Sequence, residues 1–179
     1  PLRDLLVRDE GVGLFFRPQS SLGRFERRLP WLMRRCRKPL FLSRRSFPYD
    51  AIVVSLNCPE PASALEIGVD LARLFKVPLL ALHALMPALL RSAEEDLQLK
   101  ERLSLIADFE HIHKMKIAFS LLEGNPIRAT LLELRKQSRC LTVLQYGQAG
   151  ISSVFNPHIQ LHIAGKTAHS TLLVPAEAS

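Results

Sequence analysis

The sequence predicts an α/β fold: a parallel sheet with helices on both faces. Three observations carry this expectation. From Tyr49 onward, short apolar runs alternate with helical patterns in the order β-α-β-α-β-α-β-α-β. The runs Ile52–Leu56 and Pro78–Leu82 are apolar almost without polar alternation, as strands covered on both faces are. Asn125-Pro126 and Asn156-Pro157 pair an N-cap residue with a proline at the first helical position, which marks two helix starts.

The first unit, Tyr49–Leu85, is a β-α-β crossover. Its first strand is Ile52–Leu56, followed by the turn cluster Asn57-Cys58-Pro59-Glu60-Pro61. Ser63 and Glu66 form a capping-box pattern at the expected helix start. Leu65, Gly68, Val69, Ala72 and Phe75 share one face of that helix, and Glu66, Asp70 and Arg73 the other. The second strand is Pro78–Leu82. A second capping box, Ser92 with Glu95, opens a long helix with Leu99, Leu103 and Ile106 on its apolar face, running to about Glu110. Lys116–Leu122 is the third strand. The helix capped by Asn125 buries Ile127, Leu131 and Leu134. Cys140–Gln145 is the fourth strand, the helix after Pro157 carries Ile159, Ile163 and Ala164, and Thr171–Val174 is the last strand.

The 179 residues are enough for one domain with a sizeable core and an appendage. Hydrophobic residues make up 47% and charged residues 23%, an ordinary globular balance, and no apolar run approaches the ~20 residues of a membrane helix. The first residues, Pro1-Leu2-Arg3-Asp4, lack a signal-peptide pattern. Cys36, Cys58 and Cys140 are widely spaced and odd in number, which fits a reducing compartment rather than a disulfide framework.

Charge divides the chain. Residues 1–47 hold 12 Lys+Arg against 4 Asp+Glu, a net +8; residues 48–179 hold 12 against 13, a net −1. Within the basic part, residues 1–10 read as the end of a helix and Val12–Phe16 as a strand. Arg24–Lys38 reads as a basic helix and Pro39–Leu42 as another strand. This order repeats the back half of residues 48–179. With Pro1-Leu2-Arg3 placed over Pro126-Ile127-Arg128, Leu14-Phe15-Phe16 falls near Thr142-Val143-Leu144. Gly23 then falls near Gly150, and Leu40-Phe41-Leu42 near Leu172-Leu173-Val174. The expected organisation is therefore a half unit at 1–47 and a complete unit at 48–179. The half unit's strands should lie at the sheet's far edge beside Thr171–Val174, covering an otherwise open edge.

Tyr49-Asp50, the strand Ile52–Leu56, the turn Asn57–Glu60 and the helix end Leu71-Ala72 resemble the opening of the universal stress protein domain. Similar to that family too are the second strand ending in His83, Glu123-Gly124-Asn125-Pro126 before the third helix, Gly147-x-x-Gly150 after the fourth strand, and the closing Leu172–Pro175. The resemblance implies an open five-stranded parallel sheet of order 3-2-1-4-5, of the adenine-nucleotide alpha-hydrolase-like kind, here with an extra half unit. It also implies tandem repeats or dimers pairing through the last strand, and so a homodimer through that edge, or a missing half supplied by the remainder of a larger chain.

In such a sheet the topological switch point lies outside the carboxyl ends of the first and fourth strands. The resemblance places Asn57, Cys58, Ala84, Gly147, Gly150, Ser152, Ser153 and His158 around it. Gly147 and Gly150 either bring backbone amides to an anion or simply make a turn. The family's nucleotide binders continue with nine residues and then Gly and Ser or Thr. Here Gln160-Leu161 stand at that spacing, and alignment backward from the last strand puts Pro157-His158 there, with the loop three residues short. The family's acidic residue at the first turn is Asn57. No bound cofactor is therefore expected, the alternative being weak binding of ATP or AMP, with Ser152, Ser153 and His158 still able to hold a smaller anion.

His158 and His162 stand i,i+4 on one helix, and His111 and His113 flank Ile112, but neither pair has a Cys or acidic partner at ligand spacing. They read as surface or packing histidines, and no metal is expected. Cys58 and Cys140 read as buried inert thiols. No nucleophile elbow, paired-carboxylate motif or P-loop is present, so an enzyme is not expected. Arg27, Arg28, Arg34, Arg35, Arg37 and Lys38 beside Trp31 suit a solvated helix face or a protein partner better than specific nucleic acid. The expected function is a non-catalytic regulatory or stress-response module. It would be cytoplasmic, free-standing or the cytosolic tail of a transporter of the cation/proton antiporter kind, touching a membrane only indirectly. The alternative is an adenine-nucleotide-binding sensor.

Overall fold

The five residues Ala51–Ser55 (β3) are all buried, and a strand buried on both faces must lie inside a sheet with a helix layer on each side. The computed structural model describes residues 13–16, 29, 38–44, 47–58, 60–146 and 158–176, with backbone alone for 13–16 and 158. In it β1 (Gly13–Phe16) and β2 (Leu40–Ser43) precede β3. There follow α1 (Pro61–Phe75), β4 (Leu79–Leu85), α2 (Ala93–His113), β5 (Ile117–Glu123), α3 (Pro126–Lys136), β6 (Cys140–Tyr146), α4 (His158–Lys166) and β7 (Ser170–Pro175).

The strands form one seven-stranded sheet of order β1-β2-β7-β6-β3-β4-β5. Within residues 49–179 this is the expected 3-2-1-4-5 order, parallel throughout. One core layer joins Ile52, Val54, Leu56, Leu79 and Ala81 to Leu65 and Val69 of α1 and Ile106 of α2. The other joins Val53, Leu82 and Leu144 to Leu134 of α3 and Ile163 of α4.

The N-terminal strands join where the internal repeat places them. β2 pairs with β7, Leu40 opposite Leu173 and Leu42 opposite Thr171, and the pairing is antiparallel. β1 runs parallel to β2 as β6 runs parallel to β7. The series β1-β2-β7-β6 is thus two like pairs meeting head to head. The outer edge of β7, where a homodimer contact was expected, is hydrogen-bonded to β2 of the same chain. The sheet's end strands among the described residues are β1 and β5. Leu29, Leu40 and Leu42 are buried in the same core as Leu173. Residues 1–10, Gly23 and all of Arg24–Lys38 except Leu29 and Lys38 lie outside the described residues.

Arg44, just after β2, fastens that strand to α4 and β7. Its guanidinium donates to the carbonyls of Ala164 (2.6 Å) and Gly165 (3.4 Å) at the end of α4, whose last carbonyls lack partners within the helix. Its N–H donates to Ser170 Oγ (3.0 Å), and that hydroxyl donates to its carbonyl (3.2 Å). Arg44→Ala should lower stability by about 1–2 kcal/mol, the scale of a partly exposed charge-assisted hydrogen bond. Urea unfolding measures it, and a change under about 0.5 kcal/mol would show that the staple is idle.

Several boundaries differ from the sequence reading. The helix α1 starts at Pro61 with Glu60 as N-cap and no side-chain cap bond, so Ser63 and Glu66 do not form a capping box. Pro61 supplies a pre-set first turn without needing a donor. Glu66 instead faces His113 at 3.3 Å. The capping box of Ser92 and Glu95 is present, and Asn125 caps α3 by accepting from Ile127 and Arg128. On α2 only Ile106 is buried; Leu103 is 46% exposed, and the helix turns Arg102 inward instead. The strand β4 extends to Leu85, three residues beyond expectation.

Candidate functional site

The carboxyl ends of β3, β4 and β6 meet at the switch point between β3 and β6. Asn57 and Ala84, both expected there, are brought together, and they satisfy each other. Asn57 Nδ2 donates to the Ala84 carbonyl and Asn57 Oδ1 accepts from the Ala84 N–H, both at 2.7 Å. One side-chain amide thus pairs with both backbone polar groups of Ala84.

A second amide, missed from sequence, closes the space toward α4. Gln160 is buried, and its Nε2 donates to the Asn57 carbonyl and, at 3.4 Å, to Ser55 Oγ. A third, Gln145, is fully buried at the end of β6. Its Oε1 accepts from the Glu60 N–H (2.9 Å) and its Nε2 donates to the Glu60 carboxylate (3.2 Å). Gln145 therefore holds Glu60, the N-cap residue of α1, by both its N–H and its carboxylate. A signal for Gln160 was present: it stands three and four residues before Ile163 and Ala164, on the inward stripe of α4.

Cys58 is fully buried beside this cluster, and burial pushes its thiol up to about 12. Burial likewise raises Cys140, at the far end of β6, to about 11, so both are neutral thiols near pH 7. His158 opens α4. Gly147, Gly150, Ser152 and Ser153 lie outside the described residues. His111 and His162 are exposed, and no group of three metal-ligand residues occurs among the described residues. No helix among them is long and apolar enough to cross a membrane.

A universal-stress-type protein from Pseudomonas aeruginosa UCBPP-PA14 superposes on 97% of the chain with a TM-score of 0.68 at 14% identity. The chain has the universal stress protein fold. A universal stress protein from Archaeoglobus fulgidus DSM 4304 gives the same TM-score at 13% identity, again over 97% of the chain. The chain spans only 66% and 64% of those two proteins. The universal stress protein from Archaeoglobus fulgidus in complex with dAMP matches 72% of this chain and 98% of its own, with a TM-score of 0.55 at 17% identity. No protein-family model and no curated protein matches the chain. Within the universal stress fold, the Asn57–Ala84 pair sits at the switch-point crevice, where position 57 presents an amide that bonds β4 as both donor and acceptor.

Asn57→Asp tests that statement. A carboxylate in place of the amide would face the Ala84 carbonyl oxygen, replacing a donor with a second acceptor. The expected loss is about 1–3 kcal/mol at neutral pH, because a buried acceptor is left unpaired. Chemical denaturation at pH 7 reads it; an unchanged midpoint would mean that the amide pair does not hold the crevice.

Proposed function

We propose that the chain is a non-catalytic regulatory or stress-response module of universal stress protein type whose nucleotide site has degenerated. One observation carries the reading: the backbone groups of Ala84 are consumed by Asn57, whose own carbonyl is consumed by Gln160. A nucleotide base reaching these groups would have to break three internal hydrogen bonds, and among their side-chain atoms only Gln160 Oε1 is left without a partner among the described residues. The short loop after β6 and the absence of Gly-Ser at its end act in the same direction.

Such a module works through assembly. The head-to-head meeting of β2 and β7 uses the edge through which the family pairs, so the remaining contact falls to the β1 side. Either a second copy or a front half-unit elsewhere in a larger protein would complete it. That larger protein is free-standing in the cytoplasm or a membrane transporter carrying this module at its cytosolic face.

Calorimetry with ATP and AMP tests the degenerate site. No saturable heat is expected; a dissociation constant for ATP below about 10 µM, near −7 kcal/mol, would overturn it. The second reading, an adenine-nucleotide sensor, is favoured by the dAMP complex of the Archaeoglobus fulgidus protein. On that reading Gln160→Ala opens the crevice and strengthens binding.

A further inference from the structure

Two buried histidines behave in opposite ways. His169 has both ring nitrogens engaged: Nε2 reaches the Leu134 carbonyl at 2.9 Å and Nδ1 accepts from the Cys140 N–H at 3.5 Å. His83 is fully buried, and neither of its ring nitrogens has a partner among the described residues. Arg102 Nε is buried without a partner too. Its guanidinium has one ion pair, to its chain neighbour Glu101 at 4.0 Å, and its side chain is 11% exposed.

The crossover brings these two residues together. The helix α2 returns antiparallel to β4, and Ile106 packs in the core layer that holds Leu79 and Ala81. One helical turn back from Ile106, about 6 Å, is Arg102. Two residues along β4 from Ala81, about 7 Å, is His83 on the same face. Arg102 and His83 therefore face the same layer between α2 and the sheet, and the arginine's charge acts on the ring. The other charged groups facing His83 are Arg91 before α2 and Glu95 in its first turn; Cys58 faces Arg102 from the end of β3. Arg91 is already engaged, by Asp96 at 3.4 Å, Glu123 at 3.8 Å and the Met86 carbonyl at 3.3 Å. Glu95 is engaged in the capping box with Ser92.

What remains is one guanidinium N–H and one imidazole with no acceptor or donor of their own among the described residues. Buried polar atoms find a partner, and a buried charge requires a countercharge. We propose that His83 and Arg102 form a binding site for a small oxyanion, phosphate or carboxylate, between β4 and α2. The oxyanion accepts from Arg102 Nε–H and from one imidazole N–H, and it adds a buried negative charge to the single 4.0 Å pair with Glu101. The His83 ring lies on the α2 side of β4, whereas Asn57 bonds only the backbone of Ala84. The site does not depend on the proposed loss of nucleotide binding.

The test follows the imidazole resonances of His83 by NMR across pH in chloride, then with inorganic phosphate, then with acetate. A bound anion favours the charged ring, so its midpoint should rise by about one unit or more, a tenfold coupling. A rise with both anions marks a general oxyanion site; a rise with one alone assigns it to phosphate or to carboxylate. Arg102→Gln should abolish the rise, Arg102→Lys should weaken it while keeping the fold, and Gln160→Ala should leave it intact. A His83 midpoint that moves with neither anion, or moves equally in Arg102→Gln, overturns the proposal.

Discussion

Gly68→Val should cost the chain about 3 kcal/mol or more of folding stability. A Cβ at Gly68 would stand 2.4 Å from Val54 Cγ2 and 3.2 Å from Leu79 Cδ1, and both neighbours are buried in the core between α1 and the sheet. Neither can swing into solvent, so α1 must lift or the strand must shift, and overpacking of this kind costs about 1–3 kcal/mol for a single added methyl. Alanine recovers about 1 kcal/mol of helix propensity over glycine, so Gly68→Ala should be milder. Valine adds two further methyls and a stiff branch to the same clash. Urea unfolding at neutral pH reads both variants. Val54→Ala in the Gly68→Ala background should restore part of the loss, and strict additivity of the two would refute the contact.

Acid should destabilise the chain by up to about 3 kcal/mol between pH 6.5 and about 4. Burial, aided by Arg102 and Arg91, pushes the His83 imidazole down to about 4. The unfolded chain therefore binds a proton on His83 across this window while the folded chain does not, so stability rises with pH there and is lost as pH falls. His169, also lowered by burial, acts in the same direction. The measurement is the stability of the chain in chloride buffer at several pH values, beside His83→Gln. The variant should lose most of the slope; an identical slope in both proteins would remove His83 as its source.

The sheet was legible because the apolar runs agree with the caps at Ser92 and Asn125. Asn125-Pro126 and Ser92 with Glu95 act as local rules say, since each cap is complete within four residues. The position of β2 beside β7 was legible from the repeat alone. The antiparallel sense of that pairing was not, because nothing local records which way two distant strands meet. Ser63 failed because Pro61 supplies a competing start two residues earlier. The inward face of α2 was misread because apolar spacing points to Leu103, whereas the helix turns Arg102 inward, its side chain 11% exposed.

The site was legible only in part. Asn57 and Ala84 come from the resemblance, and their mutual bonding needed coordinates. Glutamines such as Gln145 and Gln160 are read as solvated by composition. They are buried here because strand ends and a helix start leave backbone groups to satisfy.

The most direct measurement is the NMR response of the Asn57 and Gln160 side-chain amides, together with the Ala84 backbone amide, to ATP at millimolar concentration. Closed upon one another, all three should keep their positions and exchange slowly with solvent. A saturable shift at these three resonances would contradict a crevice sealed by its own side chains.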